Sequence, residues 1–287
     1  MFAIFKREIK AYFLTPIGYL YMGLFLLLTG VFYFFDNMLS QRSQFTGFLG
    51  SILMICLFIV PILTMRLFSE EKKQKTDQLL LTSPVSITGI VGGKFLAALA
   101  VYCSALLITV LYAIVIAIYG DLEGWETLGS YIGFVFLGAS YISVGIFISA
   151  ITENQLTSAL VSFFALFFIW LIDPISQMVP SDTNSGIISA IVLLAVLLLF
   201  LYLNTRNWII VLGALILGGL AIGALYLWKR NVFPGFLQKF LGWFSLNRRY
   251  QPFSLGLLKL DALFYYASFS GFFLFLTVRL IEKRRWN

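Results

Sequence analysis

The chain has 287 residues, of which 60% are hydrophobic and only 11% are charged, and its formal net charge is +7. Soluble domains carry about 25% charged residues, so this composition excludes an ordinary soluble domain and indicates a protein surrounded by lipid. The basic residues lie at the ends of apolar runs, where they orient a membrane protein, and they form no patch that would bind nucleic acid. Two cysteines in apolar runs predict no disulfide, and the absence of histidine excludes the zinc motifs that require it.

The chain begins with an amphipathic segment, residues 1–14. Phe2, Phe5, Ile9 and Phe13 fall on one face of a helix, and the charged residues fall elsewhere. This pattern predicts a helix that lies in the membrane interface. The alternative is a simple basic flank of the first span. The segment is charged, and no small-residue cleavage site follows the first apolar run, so we predict no cleavable signal peptide.

Apolar runs long enough to cross a membrane as helices follow, since a span needs about 20 residues. The eight candidates are Gly18 to Phe35, Gly47 to Phe68, Phe95 to Tyr119, Thr127 to Ala150, Thr157 to Met178, Ile187 to Leu203, Trp208 to Trp228, and Asp261 to Ile281. The sixth and seventh would need a very tight connection at residues 204–207. Because helices satisfy their own backbone polar groups in lipid, we expect an all-α transmembrane bundle that forms a single domain, residues 1–287.

The distribution of Lys and Arg predicts the orientation of these spans. With the N-terminus inside, most of the 20 basic residues face the cytoplasm, and both termini are cytoplasmic. The exception is the outer segment 229–259, which is itself rich in basic residues. Within it Phe236, Phe240, Trp243 and Phe244 share a helical face and predict a second interfacial helix. An ordinary aromatic belt is the alternative.

The longest inner loop, residues 66–94, is strongly polar. Ser69 can cap a helix whose first turn carries Glu70 and Glu71, and Pro84 would end that helix. We therefore predict a short helix beneath the membrane, polar at its start and apolar at its end. Such a helix could dock in a groove of a cytosolic protein and transmit a push to the attached spans. The alternative is a solvated connector.

A short pattern in this loop points to a known family. Its residues are Glu70, Glu71, Lys72, Thr76, Leu79, Leu80, Pro84 and Val85, followed by Gly93-Lys94 at the next span. The pattern closely resembles the cytoplasmic loop of ABC-2 type permeases, the membrane subunits of one class of ATP-driven transporter. Many relatives carry Gly where this chain has Lys75. Because Gly weakens helices, we expect Lys75 to leave the helix intact or to strengthen it.

The resemblance extends along the chain. The amphipathic start and the order of spans and loops are similar to those of the family. The residues Arg249 to Phe253, Asp261, Tyr265 and Arg284 to Trp286 are similar to the gliding-motility-type branch of these permeases, although this match is looser than that of the loop.

The resemblance implies specific partners in a bacterial cytoplasmic membrane. Such permeases pair as homo- or heterodimers on a dimer of cytosolic ABC ATPases, and most of them export. The sixth and seventh spans exceed the six-span core usual in the wider class, so they are either lipid-facing additions or a dock for an accessory subunit. The coupling helix, residues 69–85, would sit on the ATPase. The connecting helix beside it would contain Phe5, Lys6, Arg7 and Lys10. ATP and Mg²⁺ would be bound by the partner, because this chain has no G-x-x-x-x-G-K-[ST] phosphate loop, and we expect neither a cofactor nor a metal in this chain.

Asp173 and Pro174 lie near the outer end of the fifth span. A carboxylate within a span is a candidate functional residue, and proline breaks helices. The pair predicts either an outer re-entrant turn, in which Asp173 is wetted or caps the following residues, or a gate or substrate path. Glycines of the seventh span, among them Gly219 and Gly223, either permit close helix contact or are ordinary membrane glycines.

Two other classes of function compete with the permease. A secondary transporter or channel that needs no ATPase should show paired broken helices and buried midplane charges, and the sequence offers Asp173 alone. An intramembrane enzyme should show a catalytic constellation within its spans, and none is convincing. We therefore expect a permease without enzymatic activity of its own.

Overall fold

The computed structural model describes residues 1–40, 45–76, 85–228 and 233–286. Within these ranges the chain forms helices and no strand, which confirms the predicted all-α class. Long apolar helices are the expected result, because a helix satisfies its backbone hydrogen bonds within one segment.

We number the α-helices in chain order. They are α1 (Phe2–Leu14), α2 (Pro16–Tyr33), α3 (Phe45–Thr64), α4 (Ser69–Lys73), α5 (Ile87–Tyr119), α6 (Gly124–Ile151), α7 (Gln155–Met178), α8 (Thr183–Thr205), α9 (Trp208–Trp228), α10 (Phe236–Phe244), α11 (Leu246–Ser254) and α12 (Leu260–Trp286). A π-helical turn, Phe34–Leu39, extends α2. Pro16 begins α2 at a position where a missing N–H costs nothing.

Among the described residues, seven helices are long and apolar enough to cross a membrane. They include the predicted first to sixth spans and the last one. The predicted seventh span forms α9, in which Trp208–Leu220 is a shorter apolar stretch by the same criteria. The tight connection before it forms as expected: Arg206 adopts the left-handed conformation with φ 49°, and the Asn207 side chain accepts a hydrogen bond from the N–H of Ile209.

The chain divides into two compact units, residues Met1–Phe168 with Arg249–Asn287, and residues Ile169–Arg248. In the first unit α6 packs against α3, α5 and α12. Its glycines permit this packing, since a Cβ on Gly138 would lie 2.3 Å from the Tyr102 ring and one on Gly145 would lie 2.2 Å from Thr64 Oγ1. The predicted single domain over residues 1–287 stays a prediction.

The second unit contains the antiparallel pair α8 and α9 together with α10. Gly218 of α9 packs against Leu194 of α8. In α10 the rings of Phe236 and Phe240 lie 6.5 Å apart, and those of Phe240 and Phe244 lie 5.3 Å apart. The predicted aromatic helix of the outer segment therefore forms, and its location in the membrane interface stays a prediction.

The predicted break at Asp173-Pro174 is wrong. Helix α7 runs from Gln155 to Met178 with Pro174 inside it. Pro174 has no N–H to donate to the carbonyl four residues before it, yet the helix continues past this position. Ser176 Oγ donates a hydrogen bond to the Asp173 carbonyl at 2.7 Å. Asp173 is half-buried, and its carboxylate accepts a hydrogen bond from Gln177 at 3.4 Å. Asp173 therefore lies in a continuous helix and caps no new one.

Candidate functional site

Four charged side chains from three separate helices meet in the first unit. They are Arg7 and Glu8 of α1, Glu71 of α4 and Lys94 of α5, and we call them the charge cluster. Arg7 lies 2.7 Å from Glu8 and 2.8 Å from Glu71. Lys94 lies 3.1 Å from Glu8 and 2.9 Å from Glu71. Each carboxylate therefore bridges two cations, and the four formal charges cancel.

Lys94 is the buried centre of the cluster, since its side chain is only 1% exposed. Its ammonium has three N–H donors and three acceptors: the carboxylates of Glu8 and Glu71, and the carbonyl oxygen of Leu67 at 2.6 Å. The ammonium also lies 5.0 Å from the centre of the Phe68 ring. A buried charge is tolerated when it is paired and hydrogen-bonded in this way.

The cluster also shifts the ionisation of its members. Burial alone would raise the pKa of Glu8, but the neighbouring Lys94 ammonium and Arg7 guanidinium outweigh this effect, so the pKa lies below its ordinary value. For Arg7, burial alone would lower the pKa, and the two carboxylates raise it above its ordinary value. Both groups are therefore held in their charged forms.

The start of α4 is fixed by a residue of another helix. Ser149 of α6 accepts hydrogen bonds from the backbone N–H groups of Phe68 and Ser69, at 3.1 and 3.2 Å, and donates one to the carbonyl of Met65. The predicted Ser69 cap is wrong: Phe68 is the N-cap, and the Ser69 hydroxyl donates back to the carbonyl of Met65. Ser149 thus supplies the acceptor that helix N-termini need.

Helix α4 ends earlier than the predicted short helix, which Pro84 was expected to end. The helix stops at Lys73, and Lys75 takes the left-handed conformation with φ 56°. The N–H of Thr76 bonds to the Glu71 carbonyl and that of Lys75 to the Lys72 carbonyl, at 2.9 and 3.0 Å. These two bonds form a Schellman turn, which usually carries Gly at the position of Lys75. The expectation that Lys75 strengthens a continuing helix is therefore wrong.

Lys72 connects α4 to the C-terminal end of α6. Its ammonium donates to the carbonyl of Ala150 and to that of Thr152, the latter at 3.4 Å. The carbonyl groups at the end of a helix carry partial negative charge, so a cation there is favourable. Thr76 Oγ1 donates to the Glu71 carbonyl at 3.3 Å and helps to close the turn.

A second set of contacts attaches α1 to the end of α3. Tyr12 is fully buried, and its hydroxyl donates to the Leu63 carbonyl at 2.6 Å. The Arg66 guanidinium lies 4.5 Å from the centre of the Tyr12 ring and donates to Thr15 Oγ1 at 2.7 Å. Helix α1 therefore buries Tyr12 as well as Glu8 and is held at both places.

The predicted site residues are only partly brought together. Arg7 and Glu71 meet directly. The Glu70 carboxylate lies outside the charge cluster and accepts a hydrogen bond from Gln74 at 3.4 Å. Lys6 and Lys10 are exposed, and Phe5 is half-buried with its ring 6.1 Å from that of Phe2.

The other candidate residues lie elsewhere. Leu79, Leu80 and Pro84 lie outside the described residues, and Val85 comes just before the Ser86 cap of α5. Asp173 and Pro174 belong to the second unit.

Sequence reasoning missed three residues of the site: Glu8, Lys94 and Ser149. Two of them carried a signal. Lys94 interrupts the apolar run of α5, and a charge at such a place is a functional candidate. Glu8 lies off the aromatic face of α1, so its side chain can contact the other helices of the protein. Ser149 carried no signal, because a serine in an apolar helix is ordinary and its partner is set by tertiary packing.

The family assignment agrees with this geometry. The model of the ABC-2 family transporter proteins matches residues 23–281. No curated protein matches the chain significantly. The family match covers most of the chain and includes the apolar helices as well as Glu71 and Lys94, so the chain belongs to the ABC-2 transporter family and is a multi-pass membrane permease.

Proposed function

We propose that this permease is driven by a separate cytosolic ATP-binding-cassette ATPase that docks on residues 69–85, and that it exports its substrate. The observation that carries the proposal is the charge cluster. Glu71 lies on the predicted docking segment. Arg7 joins it to α1, and Lys94 joins it to the N-terminal part of α5. A push on the docking segment would therefore reach a span directly.

Exposure around the cluster supports a docking surface. Lys73, Gln74 and Lys75 are exposed beside Glu71, and Lys6, Arg7 and Lys10 are exposed on α1. These basic side chains suit a partner with an acidic groove. Glu70, Lys72, Thr76, Leu79, Leu80, Pro84 and Val85 complete the proposed coupling segment.

The proposal includes the assembly and its location. Two permease subunits, identical or different, would stand on an ATPase dimer that binds ATP and Mg²⁺, in a bacterial cytoplasmic membrane with both termini cytoplasmic. The gliding-motility-type branch is part of this proposal and rests on the segments Arg249 to Phe253 and Arg284 to Trp286. The pair α8–α9 is the candidate dock of an accessory subunit, and Asp173 and Pro174 are the candidate gate or substrate path.

The test is to purify the tagged chain from its own membranes, to identify co-purifying proteins by mass spectrometry, and to measure ATPase activity in proteoliposomes. Glu71→Gln and Arg7→Ala should leave the complex assembled but lower the permease-dependent ATPase activity about fivefold or more, the lower end of usual coupling between sites. The matched controls are Glu153→Gln and Lys239→Ala, which alter exposed charges outside both the charge cluster and the proposed docking surface and should have little effect.

Two outcomes would refute the proposal. One is a complex that stays assembled and active after deletion of residues 70–84. The other is substrate transport in vesicles that contain the chain without any ATPase and respond only to an ion gradient, because this result would identify a secondary transporter or channel.

A further inference from the structure

An apolar groove lies between α5 and α6 in the half of α5 that is far from Lys94. Its volume is about 670 Å³, within the range of roughly 300–1,000 Å³ that is usual for small-molecule sites. On α5 it extends from Cys103 to Ala117, and on α6 it begins at Gly124 and includes Tyr131. No part of the charge cluster lines it.

The groove exists because small residues face each other where the two helices begin to separate. Ala113 and Ala117 of α5 lie opposite Gly124 of α6. The floor is buried, as shown by Ala113 at 4% and Thr127 at 6% exposure. The rim is open, since Leu107 of α5 is 70% exposed. The groove therefore faces the surroundings of the helices, which for these spans are the hydrocarbon chains of lipids.

The hydroxyls in its walls are hydrogen-bonded within the protein, and Cys103 adds only a weakly polar thiol at one end. The Tyr131 hydroxyl lies 3.0 Å from Thr109 Oγ1, and Thr127 Oγ1 donates to the Glu123 carbonyl at 2.9 Å. These hydroxyls are satisfied within the protein, so the interior suits hydrocarbon.

The groove is longer than one leaflet but shorter than the whole hydrocarbon core. Cys103 to Ala117 spans about 21 Å along α5 at about 1.5 Å per residue, and one leaflet of the hydrocarbon core is about 15 Å thick, half of about 30 Å. A membrane-spanning helix of a partner would need a surface along the whole core, whereas this groove ends at Cys103. An extended acyl chain needs only one leaflet.

The mouth of the groove carries uncompensated negative charge. Asp121 and Glu123 are exposed on the connector between α5 and α6, and Glu126 is half-exposed in the first turn of α6. No Lys or Arg occurs between residues 95 and 205. Across the described ranges these carboxylates form no ion pair. Lys259 is exposed on a neighbouring connector, whose Gly256 packs against Trp125, but it forms no ion pair with them either.

We propose that the groove binds one acyl chain of a phospholipid whose headgroup carries a primary ammonium, and that the carboxylates of Asp121, Glu123 and Glu126 attract this ammonium. The apolar walls, a length shorter than the whole hydrocarbon core and the negative mouth together select this occupant. The groove shares no residue with the charge cluster, so the lipid can be tested without the ATPase.

The test uses nanodiscs that contain equal amounts of phosphatidylethanolamine and phosphatidylglycerol with the same acyl chains. Native mass spectrometry of the released protein should show retained phosphatidylethanolamine. Ala117→Trp should fill the groove and abolish this retention, whereas Ala195→Trp, at an exposed position of α8 outside the groove, should not. The double variant Glu123→Gln, Glu126→Gln should still retain lipid, with the preference for phosphatidylethanolamine lowered roughly two- to fivefold, as expected for exposed charge pairs.

Three results would overturn the proposal. The first is retention that Ala117→Trp leaves unchanged. The second is a wrong headgroup preference. This would be a preference for phosphatidylglycerol, or an equal preference for phosphatidylethanolamine in the double variant and in the control Glu153→Gln. The third is a loss of dimers in Ala117→Trp without loss of lipid, which would identify a second copy of the chain as the occupant. The double variant alters only side chains at the mouth, so it still tests the headgroup preference if Ala117→Trp does not fold.

Discussion

The two ends of α5 differ in whether charged side chains are buried and paired. Near its N-terminus Lys94 is 1% exposed and is surrounded by three acceptors, so a charge is buried with each of its donors satisfied. Near its C-terminus the helix leaves an open apolar groove, and the carboxylates beside it have no ion-pair partner in the described part of the chain. One end is closed by protein and joins three helices. The other end is left open to the membrane.

This difference predicts that one end of α5 contributes to stability and the other to lipid binding. At the Lys94 end every charge depends on its neighbours, because an unpaired buried charge is costly. At the groove end the charges are exposed and their removal costs the fold little. Substitutions at the first end should therefore act on folding and coupling, and those at the second should act on lipid occupancy.

The largest effect is expected from Lys94→Met, which keeps the volume of the side chain and removes its charge. Glu8 and Glu71 would lose their buried partner, and breaking a buried pair in this way costs about 3–5 kcal/mol. The measurement is thermal or denaturant unfolding of the purified protein in detergent. Lys10→Met, at an exposed position of α1 outside the charge cluster, is the control and should change stability by less than about 0.5 kcal/mol.

A rescue variant distinguishes charge from packing. Lys94→Met combined with Glu8→Gln and Glu71→Gln removes the uncompensated carboxylates, so part of the stability should return. Equal losses in Lys94→Met and Lys10→Met would show that the cluster does not stabilise the protein.

A smaller effect is expected on acidification. The pKa of Glu8 in the folded protein lies below its ordinary value of 4.5, so its contribution is complete above about pH 4.5 and is lost as the pH falls through the lower folded pKa. Glu8→Gln should therefore flatten the acid side of the stability profile, measured as unfolding temperature against pH. Glu153→Gln, at an exposed position outside the charge cluster, should retain the wild-type profile. If the unfolding temperature of Glu8→Gln fell with acid as steeply as that of the wild type, the acid dependence would come from groups other than Glu8.

The sequence predicted the helices well and the site in part. Apolar runs determine which segments lie in lipid, so the spans were readable from hydropathy, and α1 was readable from its aromatic face. The contacts of Glu8, Lys94 and Ser149 were not readable, because they depend on which helices meet. The prediction of a break at Pro174 was wrong, because the helix continues past the single backbone donor that proline lacks.

Lys75 shows how a local rule can be misapplied. The loop resembles one in which many relatives carry Gly at this position, and by helix propensity that Gly would be a weak point. The position is in fact the left-handed residue of a turn, with φ 56°, where Gly is favoured because it has no Cβ. The turn matters to the comparison of the two ends of α5, since it ends the helix that presents Glu71 to Lys94.

The smallest effect is expected from Lys75→Gly, and its sign is opposite to that of the other variants. Relief of the left-handed conformation gains about 1–2 kcal/mol, and the greater freedom of Gly in the unfolded chain returns about 0.4–1 kcal/mol. The variant should therefore unfold at a slightly higher temperature than the wild type. Lys75→Ala removes the same charge but keeps the Cβ, so it should not be stabilised, and Lys73→Gly, inside α4, should be destabilised by about 1 kcal/mol. If Lys75→Ala were stabilised as much as Lys75→Gly, the gain would come from the lost charge and not from the backbone of the turn.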